Sequence, residues 1–274
     1  MTKTKTAIGL ALIGAFILGA LFVAYPSAQE EPALSTAPKE RVSTSFSELE
    51  EDEIGEIVRA YLLENPEVII EAVNKYSERE RIAAETKARE NAVASLGALL
   101  NADNGYVAGK NPEQASVAVI EMFDYHCGYC KRATGVVQDI AENDADVKVI
   151  FRELPILREE SNYAAEASLA AREQGKFLDL HFALMDAKGV LTKDRIHDIA
   201  KKQGISVAKL EQSAKQPKVE QAIIESHDIA DAIGVNGTPA FIVAAVDGSY
   251  VDVISGYYPD QLLEKIEEAK ASAK

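Results

Sequence analysis

Residues 116–130 read Ser-Val-Ala-Val-Ile-Glu-Met-Phe-Asp-Tyr-His-Cys-Gly-Tyr-Cys, and the fold is decided here. From Val117 to Phe123 the run is apolar except at Glu121. A continuous apolar run, rather than an alternating one, predicts a strand buried on both faces. A helix is expected from Lys131 to Glu142, so Cys127-Gly128-Tyr129-Cys130 sits where strand turns into helix. A Cys-x-x-Cys on the first turn of a helix brings its sulfurs within bridging reach. It also sets the first thiol against the unpaired N–H groups and positive end of the helix. That setting lowers the thiol pKa, and the thiolate is the species that attacks a disulfide. Cys127 is therefore expected as nucleophile, and Cys130, expected deeper, as the residue that resolves a mixed disulfide. Two other uses stay open. An inert bridge would close a loop too short to remove much chain entropy. A soft-metal site for zinc or Cu(I) would need ligands from a second chain, since two cysteines do not fill a tetrahedral site.

Working outward, the chain has 274 residues, 29 Lys and Arg against 44 Asp and Glu, and a net charge of −15. That sign excludes nucleic acid as the main partner, because affinity there comes from neutralising phosphate, and it disfavours docking on anionic lipid. Cys127 and Cys130 are the only cysteines, so there is no structural disulfide framework.

Lys3 and Lys5 precede an uncharged apolar run from Ala7 to Ala24, the pattern of an export signal. The run also just reaches a minimal membrane span. A cut after Ala28 would place Pro26 where a small residue is wanted. Residues 1–28 are thus read as a signal peptide or an inner-membrane anchor, and either reading exports the remainder to the periplasm. Residues 29–47, rich in Pro, Ser, Thr, Ala and Glu, read as a flexible linker. From Glu48, helical periodicity runs through Ile54, Ile57, Val58, Tyr61 and Leu62, breaks at Asn65-Pro66, and resumes through Val68, Ile69, Val73 and Tyr76. Residues 48–100 are read as a helical segment. Such a pair of helices does not bury its stripe alone: it folds back on its own domain or associates with copies of itself.

Residues 101–111 read as a loop and open the domain expected at 101–274. Val147–Leu154 is expected as a second strand. Residues 162–233 are almost wholly helical by pattern, with loops near Gly189, Gly204 and Pro217. Two short strands, 240–246 and 250–254, joined at Asp247-Gly248-Ser249, read as a hairpin. Pro259 opens a last helix with Leu262, Leu263 and Ile266 on one side.

The stretch Phe123–Cys130 followed by a helix resembles the active site of DsbA-family thioredoxin-like proteins. Gly234-Val235-Asn236-Gly237-Thr238-Pro239-Ala240-Phe241 resembles the loop carrying that family's cis-proline, about 110 residues further on. Phe151-Arg152-Glu153-Leu154-Pro155-Ile156-Leu157 and Gln174-Gly175-Lys176-Phe177 are similar to the same family. The Leu62–Val68 region is similar to the N-terminal region of ScsC-like proteins, in some of which it drives oligomerisation. The resemblance implies an α/β thioredoxin-like fold with a helical insertion at about 161–233. It implies a reversible Cys127–Cys130 disulfide, exported thiol or disulfide substrates, a membrane redox partner, and no bound metal or cofactor.

Further roles are implied for the surroundings of the cysteines. Thr238 and a cis Pro239 would offer backbone hydrogen bonds to an extended substrate; an ordinary trans turn is the alternative. Glu121 would move protons to and from Cys130, or reach solvent at a strand edge. His126 would stabilise the Cys127 thiolate, or lie exposed. The Gly128-Tyr129 spacer lacks the histidine of the most oxidising members, and with Thr238 it resembles the disulfide isomerase DsbC. An isomerase is expected ahead of a monomeric dithiol oxidase, with a copper-binding module as the reading from another class. His181, His197 and His227 are read as structural or exposed, and Leu184 and Met185 as core.

Overall fold

The computed structural model describes residues 47–274. The export segment expected at 1–28, and the linker at 29–47 except its last residue, lie outside the described residues. The chain divides into two compact units, one ending at Asn65 and the other running Pro66–Lys274. In the first, α1 (Glu48–Glu64) opens with a capping box: the Ser47 hydroxyl accepts from the Glu50 N–H, and Glu50 accepts from the Ser47 N–H. Ile54, Ile57, Val58 and Tyr61 on this helix are exposed.

The second unit runs, in chain order, α2 (Glu67–Ala94), α3 (Leu96–Leu99), β1 (Tyr106–Ala108), β2 (Val117–Phe123), α4 (Gly128–Asn143) and β3 (Val147–Glu153). Five helices follow: α5 (Glu159–Ala171), α6 (Phe177–Asp186), α7 (Lys193–Lys202), α8 (Val207–Ala214) and α9 (Pro217–Ile233). The hairpin β4 (Ala240–Ala245) and β5 (Val251–Ser255) and the helix α10 (Pro259–Ser272) close the fold. The sheet order is β1-β3-β2-β4-β5, with β2 and β3 parallel and the other pairs antiparallel. This is the expected thioredoxin-like α/β architecture with a helical insertion.

Every residue of β2 is buried, because helices cover both faces of the sheet. Val117, Val119 and Phe123 join Val149 and Phe151 in a core shared with α4, α10 and the insertion helices α5–α8. Ala118, Ile120 and Met122 join Ile150 and Ile242 in a second core under α9 and the end of α2. β2 thus enters at the centre and delivers Cys127 at its C-terminal end.

Three expectations change. Residues 101–111 are not all loop: β1 pairs with β3, Tyr106 opposite Phe151, and three residues were too few to show a period. The end of the helical segment packs on the domain expected at 101–274, since Ala92 and Leu99 are wholly buried in the second core. The insertion also breaks at Gly175, whose φ of 64° is left-handed and suits glycine. On α10, Leu262 and Ile266 are buried while Leu263 is exposed. Leu184 and Met185 are in the core, as read.

Candidate active site

The helix after β2 begins three residues before the expected Lys131. Cys127 is its N-cap, in an extended conformation (φ −76°, ψ 117°). N-cap side chains accept from the first-turn N–H groups, and here the acceptor is a sulfur: Cys127 Sγ lies 3.4 Å from the Cys130 N–H nitrogen. The thiol in turn donates to the Thr238 carbonyl oxygen at 3.0 Å. The Thr238–Pro239 bond is cis. Both cysteines are free thiols and both are buried.

The pKa values of the two sulfurs are driven apart. Cys127 is drawn down to about 5, first by the hydrogen bond from the Cys130 thiol, then by the Thr238 hydroxyl and the N–H groups of Cys130 and Tyr129, against the opposing effect of burial. Thr238 Oγ1 is buried and has no partner while Cys127 is a thiol; an ionised sulfur gives it an acceptor. Cys130 is pushed far up, first by burial, then by its bond to Cys127 and the charge of Glu121. Glu121 is fully buried, not at a solvent-reaching edge, and its pKa rises to about 8 through burial and the Cys127 charge. An acidic thiolate, a reluctant thiol and a proton-holding carboxyl therefore share one site. This arrangement supports attack by the outer sulfur and proton exchange at the inner one.

His126 is neither exposed nor a charge beside the sulfur. Its Nε2 accepts from the Leu191 N–H at 3.0 Å, so Nδ1 carries the proton and donates to Ser161 Oγ at 2.8 Å. Ser161 donates onward to Asp124 at 2.8 Å. Burial lowers the His126 pKa, which keeps the ring neutral. Its work is to tie the insertion to the cysteine loop. Gly128 and Tyr129 face outward, with Arg132 stacked 4.0 Å over the Tyr129 ring. The Pro239 carbonyl accepts from the Gly256 N–H at 2.8 Å, and proline has no N–H to offer.

Several residues that shape the site went unassigned in the sequence. Asp124 accepts from the N–H groups of His126, Ile156 and Leu157 as well as from Ser161, and so locks the cysteine loop to the end of β3. The Lys131 ammonium donates to the carbonyls of Leu184, Met185 and Ala187, capping α6 as cations do at helix C-termini. Beneath the loop the Tyr125 hydroxyl meets Glu153, Ser168 and His181. His181 is buried, and burial lowers its pKa to about 3. His197 bonds the Tyr163 hydroxyl at 2.7 Å. A carboxylate alternating with Val147, Val149 and Phe151 on an apolar strand could have flagged Glu153, as the same pattern flagged Glu121.

Among the described residues there is no cluster of three or more metal-ligating side chains. No helix among them is long and apolar enough to cross a membrane.

Comparison with known proteins gives a consistent picture. Residues 118–267 match the family described as DSBA-like thioredoxin domain, and residues 50–83 match the copper resistance protein ScsC N-terminal domain. A thioredoxin-like oxidoreductase from Silicibacter pomeroyi is 37% identical with a TM-score of 0.57, over 62% of this chain and 94% of that one. A linker-deletion mutant of Proteus mirabilis ScsC is 25% identical with a TM-score of 0.61, over 84% of this chain and 99% of that one. The Na(+)/H(+) antiporter NhaA 1 of Salinispora arenicola is 29% identical over 143 residues, 52% of this chain but 22% of that protein. The chain thus spans about a fifth of the length of this curated relative.

Proposed function

The chain belongs to the family of DSBA-like thioredoxin domains, and on that premise we propose that it is a protein disulfide isomerase of exported proteins. The fold is that of a thiol-disulfide oxidoreductase; the direction of use is our reading. The observation that carries the thiol-disulfide chemistry is Cys127 as helix N-cap, 3.0 Å from the Thr238 carbonyl and acidic to about 5, over a Cys130 kept protonated by burial. The isomerase direction rests on the Gly128-Tyr129 spacer with Thr238 and on the exposed apolar stripe of the N-terminal helices.

The Cys127 thiolate attacks a client disulfide. One S–S bond breaks, a mixed disulfide forms, and a client thiolate leaves. That thiolate attacks a second client disulfide, and a client sulfur later returns to displace Cys127, so no net electrons move. If the client stalls, Glu121, no longer facing a Cys127 charge in the mixed disulfide, first gives up its proton. The carboxylate then takes the Cys130 proton as Cys130 attacks Cys127, releasing reduced client and a Cys127–Cys130 disulfide. A membrane redox partner then restores the dithiol. Thr238 and Tyr129 flank the mixed disulfide. The helical segment 48–100 gathers copies of the chain, so that several thiolates face one client and effective concentration rises. The protein is read as periplasmic.

Thiol alkylation in cells tests the direction. A pair held mostly reduced supports the isomerase; a pair held mostly oxidised assigns the chain to dithiol oxidation instead. Because the N-terminal match is described as a copper resistance domain, a Cu(I)-holding module on the same sulfurs is the second reading. Stoichiometric Cu(I) after reducing purification, without insulin reduction, would favour it.

A further inference from the structure

We propose that Glu153 carries a proton and, through Tyr125, acts as a positioning residue for the Cys127 thiolate. The inference rests on the reading of Cys127 as nucleophile. It starts from one hydroxyl with three buried partners. The Tyr125 hydroxyl lies 2.6 Å from Ser168 Oγ, 3.0 Å from His181 Nδ1 and 3.1 Å from Glu153 Oε1. A hydroxyl gives one hydrogen and accepts two, so at least two of the three partners donate to Tyr125. A protonated Glu153 carboxyl is one such donor, with Ser168 or His181 as the other.

The surroundings agree. Glu153, Ser168, His181 and Tyr125 are all 2% exposed or less, and a buried carboxylate without a cation is expensive. The cation that acts on Glu153 is Arg172, but its guanidinium is turned to the carbonyls of Leu169, Asp103 and Gly105. Asp124 opposes ionisation from the other side, and burial raises the Glu153 pKa further. The Phe123, Phe151 and Phe177 rings pack against His181, leaving that side apolar.

Tyr125 transmits the cluster to the thiol. It lies two residues before Cys127 in the turn closed by the Cys127 N–H to the Asp124 carbonyl at 3.0 Å. Holding the Tyr125 hydroxyl holds that turn, and with it the distances from Cys127 Sγ to the Thr238 oxygen and the Cys130 N–H.

Infrared spectroscopy and thiolate absorbance on the full chain test this. In a Glu121→Gln background at neutral pH, the carbonyl stretch of a protonated carboxyl should remain, and Glu153→Gln should remove it. Tyr125→Phe should raise the apparent Cys127 pKa by about one unit, as expected for lost support of the charged form. Glu153→Gln should leave it in place, because the amide donates to Tyr125 as the protonated acid does. A purely structural cluster would lower thermal stability without moving the thiol. Absence of the infrared band overturns the protonated carboxyl. A Cys127 pKa unmoved by Tyr125→Phe, or moved as far by Glu153→Gln, overturns the positioning role. If the unmodified chain itself titrates as a free thiol, the nucleophile reading fails, and the infrared result still stands alone.

Discussion

Helices α4 and α2 both carry an apolar stripe at helical spacing, yet only one of them buries it. On α4, Ala133, Val137, Ile140 and Ala141 are covered by the sheet. On α2, 28 residues long, only Ala92 is buried, while Ile69, Ile70, Val73 and Tyr76 stand exposed. The end of α2 is docked, with Arg89 on Asp252 at 3.0 Å and Asn91 on the Ala232 carbonyl at 2.8 Å; its first half is not. Periodicity shows that a stripe exists, and topology decides what covers it. α4 is bracketed by two paired strands, which fix its partner inside the chain. The first half of α2 has no such bracket. Each large apolar side chain left in water forgoes about 1.5–3 kcal/mol, which is why the proposed assembly places this stripe between copies.

The largest effect expected on the α4 side is the loss of Cys127. Cys127→Ser should abolish insulin reduction and mixed-disulfide formation. Cys130→Ser should instead trap client through Cys127, because resolution is lost. Non-reducing gels read both. Trapping by the serine at 127 rather than at 130 would reverse the roles and break the link between helix N-cap and nucleophile.

The α2 side is tested by where the chain is made to start. From Ser47 it should be an oligomer by light scattering. From Glu78, which keeps the docked half, it should be a monomer that still reduces insulin but no longer refolds scrambled RNase. From Tyr106 it should be badly destabilised. That cut removes Ala92 and Leu99, together with the carbonyls of Leu99 and Asn101 that accept from the buried Arg152 guanidinium. Glu225 still faces the guanidinium at 3.6 Å, but a buried donor left without its acceptors costs about 1–3 kcal/mol, added to the lost packing. A monomer from Ser47 at tens of micromolar would move the reading toward a monomeric oxidase.

The contrast also marks what the sequence could carry. The cysteine pair, the Thr238-Pro239 loop and the strand around Glu121 were legible because their chemistry lies in contiguous residues with an unusual pattern. The contacts of His126 were hidden because they come from Leu191 and Ser161, which local spacing does not bring to it. Asp124 and Lys131 act on backbone groups of other elements, and backbone partners leave no signature in side-chain identity. β1 was missed because three residues are too few to set a period against. The docking of Ala92 and Leu99 was hidden for a related reason: both are ordinary apolar residues beside a charged stretch, and only the packed sheet shows what covers them.

Glu121 sharpens the comparison from within the core. Its folded pKa of about 8 lies above the ordinary 4.5, so the folded chain holds a proton that the unfolded chain has released. Its contribution is complete below the unfolded value and is lost as pH rises through 8. Glu121→Gln should therefore gain stability over the parent between pH 5 and 8, on the order of a few kcal/mol at the upper end. Burial acts in both redox forms, but the Cys127 charge exists only in the reduced one. The gain should accordingly be smaller in the disulfide form. Denaturant unfolding across that range reads both, and equal gains in the two forms would show that the thiolate does not reach Glu121.

The smallest effect is expected where α2 meets the sheet. Arg89 is more than half exposed, while its partner Asp252 is nearly buried. Removing the arginine does not strand the carboxylate: Asp252 still accepts from the Val253 N–H at 2.9 Å and faces Lys265 at 3.6 Å. A pair with one exposed member and a partner that keeps other contacts is worth about 0–1 kcal/mol. In a unit of this size that is a fall of at most about 2–4 °C in Tm. Docking should instead rest on Ala92 and Leu99, so Leu99→Ala should cost about 2–5 kcal/mol by leaving a cavity in the second core. A thermal melt of each variant decides the matter. If Arg89→Ala costs as much as Leu99→Ala, then α2 is held by charge rather than by packing, and the difference drawn between its two halves loses its physical basis.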